Sequence, residues 1–415
     1  MPDVEPVLLS ERITPDTPEA VAVAVRRAAA DETPVYPLGG ETALDYGLTA
    51  KTPGVGLSLS ALNRVIEYPA RDMTITVEAG ITMGELARVL AQEGQRLPAD
   101  APLADRATLG GVIATNHSGP LRFGHGTIRD YVIGITAIDG RGLTFHGGGR
   151  VVKNVAGYDF CKLLVGSLGT LGVVTQATLK VKPLAAARAM IACDVDDWTA
   201  AERLLATLVH SATTPAMMEL VAGPHWQGAA ASRGVARLLV GLEGTATEVD
   251  WMQTKLVDEL RHERLAANVL GDADADDHAD DHADAARESL THFSSEPSAP
   301  LVVKAAVRPS SVVEFIRLVL DVDPTASIQA HAGNGIVVAR FAKFAAADVS
   351  RQLIGRMQPA ALAAGGHVVV LSSDASIELT RQACWGTVGA ALDAMRDVKK
   401  QFDPANVLNR GRFVY

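Results

Sequence analysis

The chain has 415 residues, 48% of them apolar, which is ample for two cores, and carries a net charge of −10. That acidic balance argues against nucleic acid or an anionic membrane as the main partner. There is no run of eighteen apolar residues and no basic segment ahead of an apolar core at the N-terminus, so the chain is expected to be neither exported nor membrane-spanning.

In chain order, residues 19–30 read as a helix and residues 34–38 as a short apolar segment. It ends in the turn Pro37-Leu38-Gly39-Gly40-Glu41-Thr42. Such a turn aims backbone N–H groups at a diphosphate, with Thr42 adding a hydroxyl, although a plain strand-to-loop turn looks the same. Residues 72–79 alternate like a strand. Residues 82–92 space Met83, Leu86, Val89 and Leu90 like an amphipathic helix, with Thr82 as N-cap and Glu85 completing a capping box. A second glycine turn, Thr108-Leu109-Gly110-Gly111, opens a short apolar stretch that closes at Thr115-Asn116-His117-Ser118-Gly119, bringing more backbone donors. His117 is expected to act as a local hydrogen-bonder rather than in redox chemistry.

Residues 132–138, the turn Asp139-Gly140 and residues 143–146 predict a hairpin. The densest glycine stretch is 148–175, where Gly157 precedes Gly166, Gly169 and Gly172 at every third position, followed by Val173. Side chains are missing there because backbone approaches something large, flat or anionic. A long strand over 171–181 ends before Pro183, which sets the end of the first domain at residue 183.

Beyond it, residues 184–395 alternate helical stretches (199–211, 248–265, 310–320) with β-rich pieces (235–242, 301–307), which predicts a cap with an antiparallel sheet. Within it, the acidic insertion 271–287 repeats Asp, Ala and His. His278 and His282 are four apart, but the stretch reads as solvated, not as a metal site. Residues 396–415 form a C-terminal segment with an apolar cluster, Phe402, Pro404, Val407 and Leu408.

No GxGxxG, GxxxxGK[ST], GxSxG or HExxH motif occurs, so nicotinamide, P-loop, hydrolase-elbow and zincin readings lack their minimal signatures. Cys161, Cys193 and Cys384 stand far apart, offer neither a disulfide framework nor an iron–sulfur cluster, and fit a reducing cytoplasm.

The three glycine loops, in this order, resemble the FAD-binding domain of the vanillyl-alcohol oxidase type, the PCMH flavoprotein superfamily. The run 153–173 looks most like the E-subunit family of bacterial glycolate oxidases, and Phe402-Asp403-Pro404-Ala405-Asn406-Val407-Leu408-Asn409-Arg410-Gly411-Arg412 resembles the C-terminal signature of that branch. The resemblance implies an α+β fold: a two-lobed PCMH-type FAD-binding domain (1–183), an α+β cap with an antiparallel sheet (184–395), and a tail (396–415) returning to the first domain. It implies non-covalent FAD, held by Pro37, Gly39, Gly40, Glu41, Thr42, Thr108, Gly110, Gly111, Thr115, Asn116, Ser118, Gly119, Gly157, Gly169, Gly172 and Val173. Relatives carry Arg and a third glycine where this chain has Leu38 and Glu41, so the Glu41 carboxylate must point away from a diphosphate or accept donors.

In relatives that oxidise D-2-hydroxy acids, a His-x-Gly-Asp-Gly-Asn-x-His strand supplies two metal-ligating histidines. Here the strand is His331-Ala332-Gly333-Asn334-Gly335-Ile336-Val337-Val338, and no Glu-His-Gly follows. His331 matches the first ligand, Val338 stands at the second and Asn334 at the acid, so the resemblance implies no metal site and leaves His331 as the one catalytic candidate. The implied role is the FAD-binding subunit of a glycolate oxidase that converts glycolate to glyoxylate. Its partners would be a catalytic D-type flavoprotein subunit and an iron–sulfur F-type subunit, in the cytoplasm or at a membrane through those partners. An autonomous FAD-dependent D-2-hydroxy acid dehydrogenase and a flavin-less scaffold stay open beside it.

Overall fold

The structure, a computed structural model, describes residues 6–150, 157–263, 265, 267–270, 279–296, 299–374 and 376–415. Residues 151–156 of the third glycine stretch, and 271–278 of the acidic insertion with His278, lie outside it. The chain divides into two compact units, one of residues 1–118, 126–184 and 387–415 and one of residues 119–125 and 185–386.

Among the described residues, the first unit holds two larger sheets and one two-stranded pair. β1 (Leu9–Ile13), β2 (Val35–Leu38) and β3 (Gly54–Ser58) pair in parallel in the order β1-β3-β2. The helix Pro18–Ala30 packs Val21 and Val25 into their core. Thr17 starts that helix by accepting the Ala20 amide at 3.2 Å, and Pro18 in the first turn gives up an amide that would otherwise lack a partner. The second sheet is antiparallel and uses β4 (Val65–Glu67), β5 (Thr74–Glu78), β7 (Val132–Ile138), β8 (Thr144–Gly148) and β9 (Val173–Lys180), in the order β4-β5-β9-β7-β8. A short pair, β6 (Gln95–Arg96) with β10 (Lys182–Pro183), stands apart. The expected hairpin is β7–β8. The expected capping box forms only in half: Thr82 accepts the Glu85 amide, but the Glu85 carboxylate turns to Arg88 instead of the Thr82 amide.

The C-terminal helix Ala391–Phe402 ends in a buried ion pair. Lys399 Nζ donates to Asp403 at 2.6 Å and to the carbonyls of Thr170 at 2.8 Å and Leu408 at 3.0 Å. Asp403 in turn accepts the amides of Val407 and Leu408 at 3.0 and 2.7 Å. Burial pushes the Lys399 ammonium down, and the Asp403 carboxylate opposes it. Gly140, at the hairpin turn, has no room for a side chain, since a Cβ would lie 2.3 Å from Asp403 Oδ1. Val407 and Leu408 then join Val21, Val35 and Leu57 in the core.

Among the described residues, the second unit is built on one eight-stranded antiparallel sheet. Its strands are β11 (Ala187–Val195), β12 (Met217–Ala222), β13 (Ala236–Gly244), β14 (Ala267–Leu270), β15 (Leu301–Ala306), β16 (Ser327–His331), β17 (Ile336–Phe341) and β18 (His367–Ser373). They lie in the order β14-β11-β13-β12-β16-β17-β15-β18. Helices Trp198–Val209, Ala246–His262 and Val312–Val322 pack against it. The acidic insertion departs from the expectation of a wholly solvated stretch: a helix, Ala279–His292, begins within it. Its Ala286 and Leu290 enter the core with Met190, Leu239 and Val338, because the charge-rich repeat gives way to an apolar stripe there.

Replacing Asp403 with Ala strands a buried ammonium, and the expected loss is about 3–5 kcal/mol, read as a fall in thermal midpoint. Joint replacement of Lys399 with Met and Asp403 with Leu is expected to cost less than either single change. A second outcome concerns acid. Burial alone would raise the Glu78 carboxyl, but the Arg64 side chain and amide outweigh burial and hold it below its ordinary value. Its stabilisation is therefore present above the unfolded value near ~4.3 and is lost as pH falls through the folded one. Arg64→Met is expected to flatten the acid limb of the stability profile.

Candidate functional site

In the first unit, β2 runs out at Leu38 into Gly39 and Gly40 because a second loop lies directly against them. A Cβ on Gly39 would sit 2.2 Å from Thr108 Oγ1, and one on Gly40 would sit 1.7 Å from the Arg106 carbonyl. Glu41 follows in the left-handed region, φ 58°, where glycine is the usual occupant. Its carboxylate is held away by Arg12 in a bidentate pair at 2.8 and 3.0 Å. Among the described residues, the amides of Gly39, Gly40, Glu41 and Thr42 donate to no other protein group. Four consecutive free donors in a half-buried turn form a concavity suited to an anion.

The second loop serves a different purpose. Thr108 caps the helix Leu109–Thr115 by accepting the Gly111 amide at 3.3 Å, while the amides of Leu109 and Gly110 go to the carbonyls of Ile81 at 2.9 Å and Ala79 at 2.7 Å. Gly110 is small because Ala79 lies 3.0 Å from where its Cβ would be. Thus the amides of Gly110 and Gly111, expected to face a ligand, are already used inside the protein, and the glycines serve packing. Thr115 likewise returns its hydroxyl to the Gly111 carbonyl at 2.9 Å. Asn116 closes the helix in the left-handed region and leaves its buried Oδ1 without a partner among the described residues.

The third loop crosses the end of that helix. The amides of Gly166 and Leu168 donate to the carbonyls of Ile113 and Ala114 at 2.9 and 2.8 Å. Gly166, with φ 82°, stands 3.3 Å from Asn116 Cβ at its hypothetical Cβ, and Gly169, with φ 66°, lies 3.6 Å from Pro37. So Pro37, Gly39–Thr42, Thr108, Asn116 and Gly166–Gly169 come together. Other expected members do not join them: Val173 is buried in the core with Leu57 and Ile138, Gly172 packs on Phe145, Gly157 is exposed, and Gly119 belongs to the second unit. Ser118 ends the first unit's stretch.

In the second unit, strand register gathers polar groups on one face of the sheet. Glu219 pairs with His331, which pairs with Ile336, then Ala306, then His367. One row over, Gln329 pairs with Val338, then Lys304, then Val369. Glu219 is fully buried, and accepts from Gln329 Nε2 at 2.9 Å while pairing with His331 Nδ1 at 2.7 Å. A carboxylate at Nδ1 fixes that nitrogen as the N–H and leaves Nε2 as the acceptor. Lys304 is half-buried, and its ammonium is pushed down to about 8, first by desolvation and then by the Arg122 guanidinium. His367, whose ring reaches solvent at the start of β18, is lowered by desolvation and then by Lys304. Phe123 lies across the turn after His331, 2.1 Å from a hypothetical Gly333 Cβ. Sequence reasoning found His331 but missed Glu219, Lys304 and Arg122. The available signal was a lone charge inside an otherwise apolar strand, Met-Met-Glu-Leu-Val-Ala in one case and Leu-Val-Val-Lys-Ala-Ala in the other.

Residues 11–148 match the family model described as an FAD binding domain, and residues 184–369 with 385–413 match the FAD linked oxidases, C-terminal domain. The chain belongs to the FAD-linked oxidases, a family of FAD-dependent oxidoreductases. Among similar proteins, D-2-hydroxyglutarate dehydrogenase of Xanthomonas citri pv. viticola is 36% identical over 40% of this chain and 35% of its own length. Glycolate oxidase subunit GlcE of Escherichia coli is 35% identical over 40% of this chain and 48% of its own. The chain thus spans about a third to a half of these two relatives. The solved structure of p-cresol methylhydroxylase with substrate bound superposes with a TM-score of 0.70 over 97% of this chain and 88% of that one, at 15% identity, a likeness of fold.

Proposed function

We propose that this chain is the FAD-binding subunit of a glycolate-oxidase-type assembly that oxidises small 2-hydroxy acids, working with a catalytic D-type flavoprotein subunit and an iron–sulfur F-type subunit. The observation that carries the flavin half of the reading is the run of four unpartnered amides at Gly39–Thr42, shielded from the Glu41 charge by Arg12 and closed by Thr108. These groups, with Thr42 as an added hydroxyl donor, would hold the diphosphate. The orphaned Asn116 Oδ1 is an acceptor waiting for a donor, as a flavin ring edge provides. Bound flavin supplies an acceptor for hydride.

The remaining work falls to side chains. Glu219 holds His331 in one tautomer, and Nε2 is the group able to take a hydroxyl proton from a 2-hydroxy acid. A second reading follows from this dyad: the chain oxidises a D-2-hydroxy acid by itself. Glu219→Gln would cost that activity about 10²–10⁴-fold if His331 is the base.

Two outcomes test the proposal. The purified chain should show a flavin spectrum, released by heat, and should reduce a dye with glycolate or D-lactate far more slowly alone than when the two partner subunits are co-expressed. A lone chain as fast as the assembly, and silenced by His331→Ala, favours the second reading. Arg12→Ala should free the Glu41 carboxylate against the phosphate-facing turn and weaken flavin retention, most at low salt, while the added change Glu41→Gly should restore it. Equal flavin occupancy in all three proteins would remove the diphosphate from this loop.

A further inference from the structure

At one edge of the second unit's sheet, β14 pairs with β11 only over residues 190–193 of the longer strand. On that side, residues 187–189 of β11 have no strand partner among the described residues, and a cleft of about 490 Å³ opens beside them. Its walls come from β11, β14 and the helices Ala246–His262 and Ala279–His292, with the small side chains of Val269 and Ala283 keeping it broad.

Three of these elements bring unused polar groups to the cleft. Arg188 reaches Glu243 Oε1 at 3.5 Å through Nε, and among the described residues its two terminal nitrogens have no protein partner. Gln253 is half-buried and Asp284 exposed, and among the described residues neither makes a hydrogen bond or ion pair. Arg287, one helical turn after Asp284, reaches the same Glu243 oxygen at 3.5 Å, while His125 meets the other carboxylate oxygen at 2.9 Å. The Glu243 carboxylate thus offsets one of the two guanidiniums, and Asp284 balances the second. An anion alone would meet Asp284, and a cation alone would meet two arginines.

We propose that this cleft binds a free α-amino acid, whose carboxylate is taken by Arg188 with Arg287 beside it and whose ammonium is taken by Asp284. A guanidinium fork matches a carboxylate with two parallel hydrogen bonds. Residues three apart on a helix have Cβ atoms about 5–6 Å apart, so Asp284 and Arg287 stand at a spacing that two opposite charges on one carbon can bridge. Gln253, both donor and acceptor, serves either group. The site shares no residue with the Gly39–Thr42 turn or the Glu219–His331 dyad, and it does not depend on the 2-hydroxy acid reading.

The test is calorimetry of the full chain with glycine, L-alanine and L-valine, and with propionate and ethylamine as probes that carry one charge each. At least one amino acid should bind, at least tenfold more tightly than either single-charge probe. Arg188→Gln and Asp284→Asn should each weaken that binding at least tenfold. Circular dichroism identifies a misfolded variant, in which case the other substitution decides. No binding of any of the three amino acids, or unchanged binding in a correctly folded variant, would overturn the assignment. Propionate binding as tightly as the best amino acid would also overturn it, leaving a plain anion site.

Discussion

The first unit depends on one buried ion pair. Lys399 and Asp403 are a single helical turn apart, with side chains 8% and 0% exposed, and between them they engage four backbone groups. Removing two charges from water is costly, and attraction alone rarely offsets it. Here the remaining hydrogen-bonding capacity is met by the Thr170 and Leu408 carbonyls and the Val407 and Leu408 amides. The pair therefore acts as a clip, joining the last helix to the end of the third glycine loop. Leu408 continues from it into a bridge with Val35, at the start of the strand that ends in Gly39 and Gly40. Arg412 extends the same tie through the carbonyls of Pro6, Leu44 and Tyr46.

The glycines of the three loops do not share one purpose. Gly39, Gly40 and Gly110 are small because another segment's backbone or side chain occupies their Cβ positions, whereas Gly166 and Gly169 are needed for their positive φ. Of the first two loops, the Gly39–Thr42 turn is the one that leaves four consecutive amides without a protein partner. Close packing of the loops is what keeps that turn in shape.

Much of the architecture was legible in the sequence: the hairpin at 132–146, the first helix, the Thr82 cap of the helix that follows it, and an antiparallel cap sheet all follow from periodicity and turn residues. Which amides remain free was not, because hydrogen-bond partners such as Ala79 and Ile81 lie in another segment. The half-formed capping box shows the same limit, since Arg88 competes for Glu85 within its own helix. On the sheet face, Glu219 lies 112 residues from His331, so no local pattern links them. The departure at Glu41 was visible as a change of residue type, but its resolution by Arg12 came only from the fold.

Register gives this face its composition. Side chains alternate with a period of two, so Glu219, Gln329, His331 and Lys304 share one side only while β12, β16, β17 and β15 keep their present alignment. The turn Ala332–Gly335 between β16 and β17 fixes that alignment at its tightest point, with Gly335 at φ 71°. An insertion or deletion of one residue there that shifted β17 and β15 against β16 would put Lys304 on the opposite face from Glu219, Gln329 and His331 while leaving every one of those residues in the chain. Related sequences that keep all four side chains but differ in the length of this turn are therefore not equivalent in chemistry, and turn length is as much a part of the site's identity as the residues themselves.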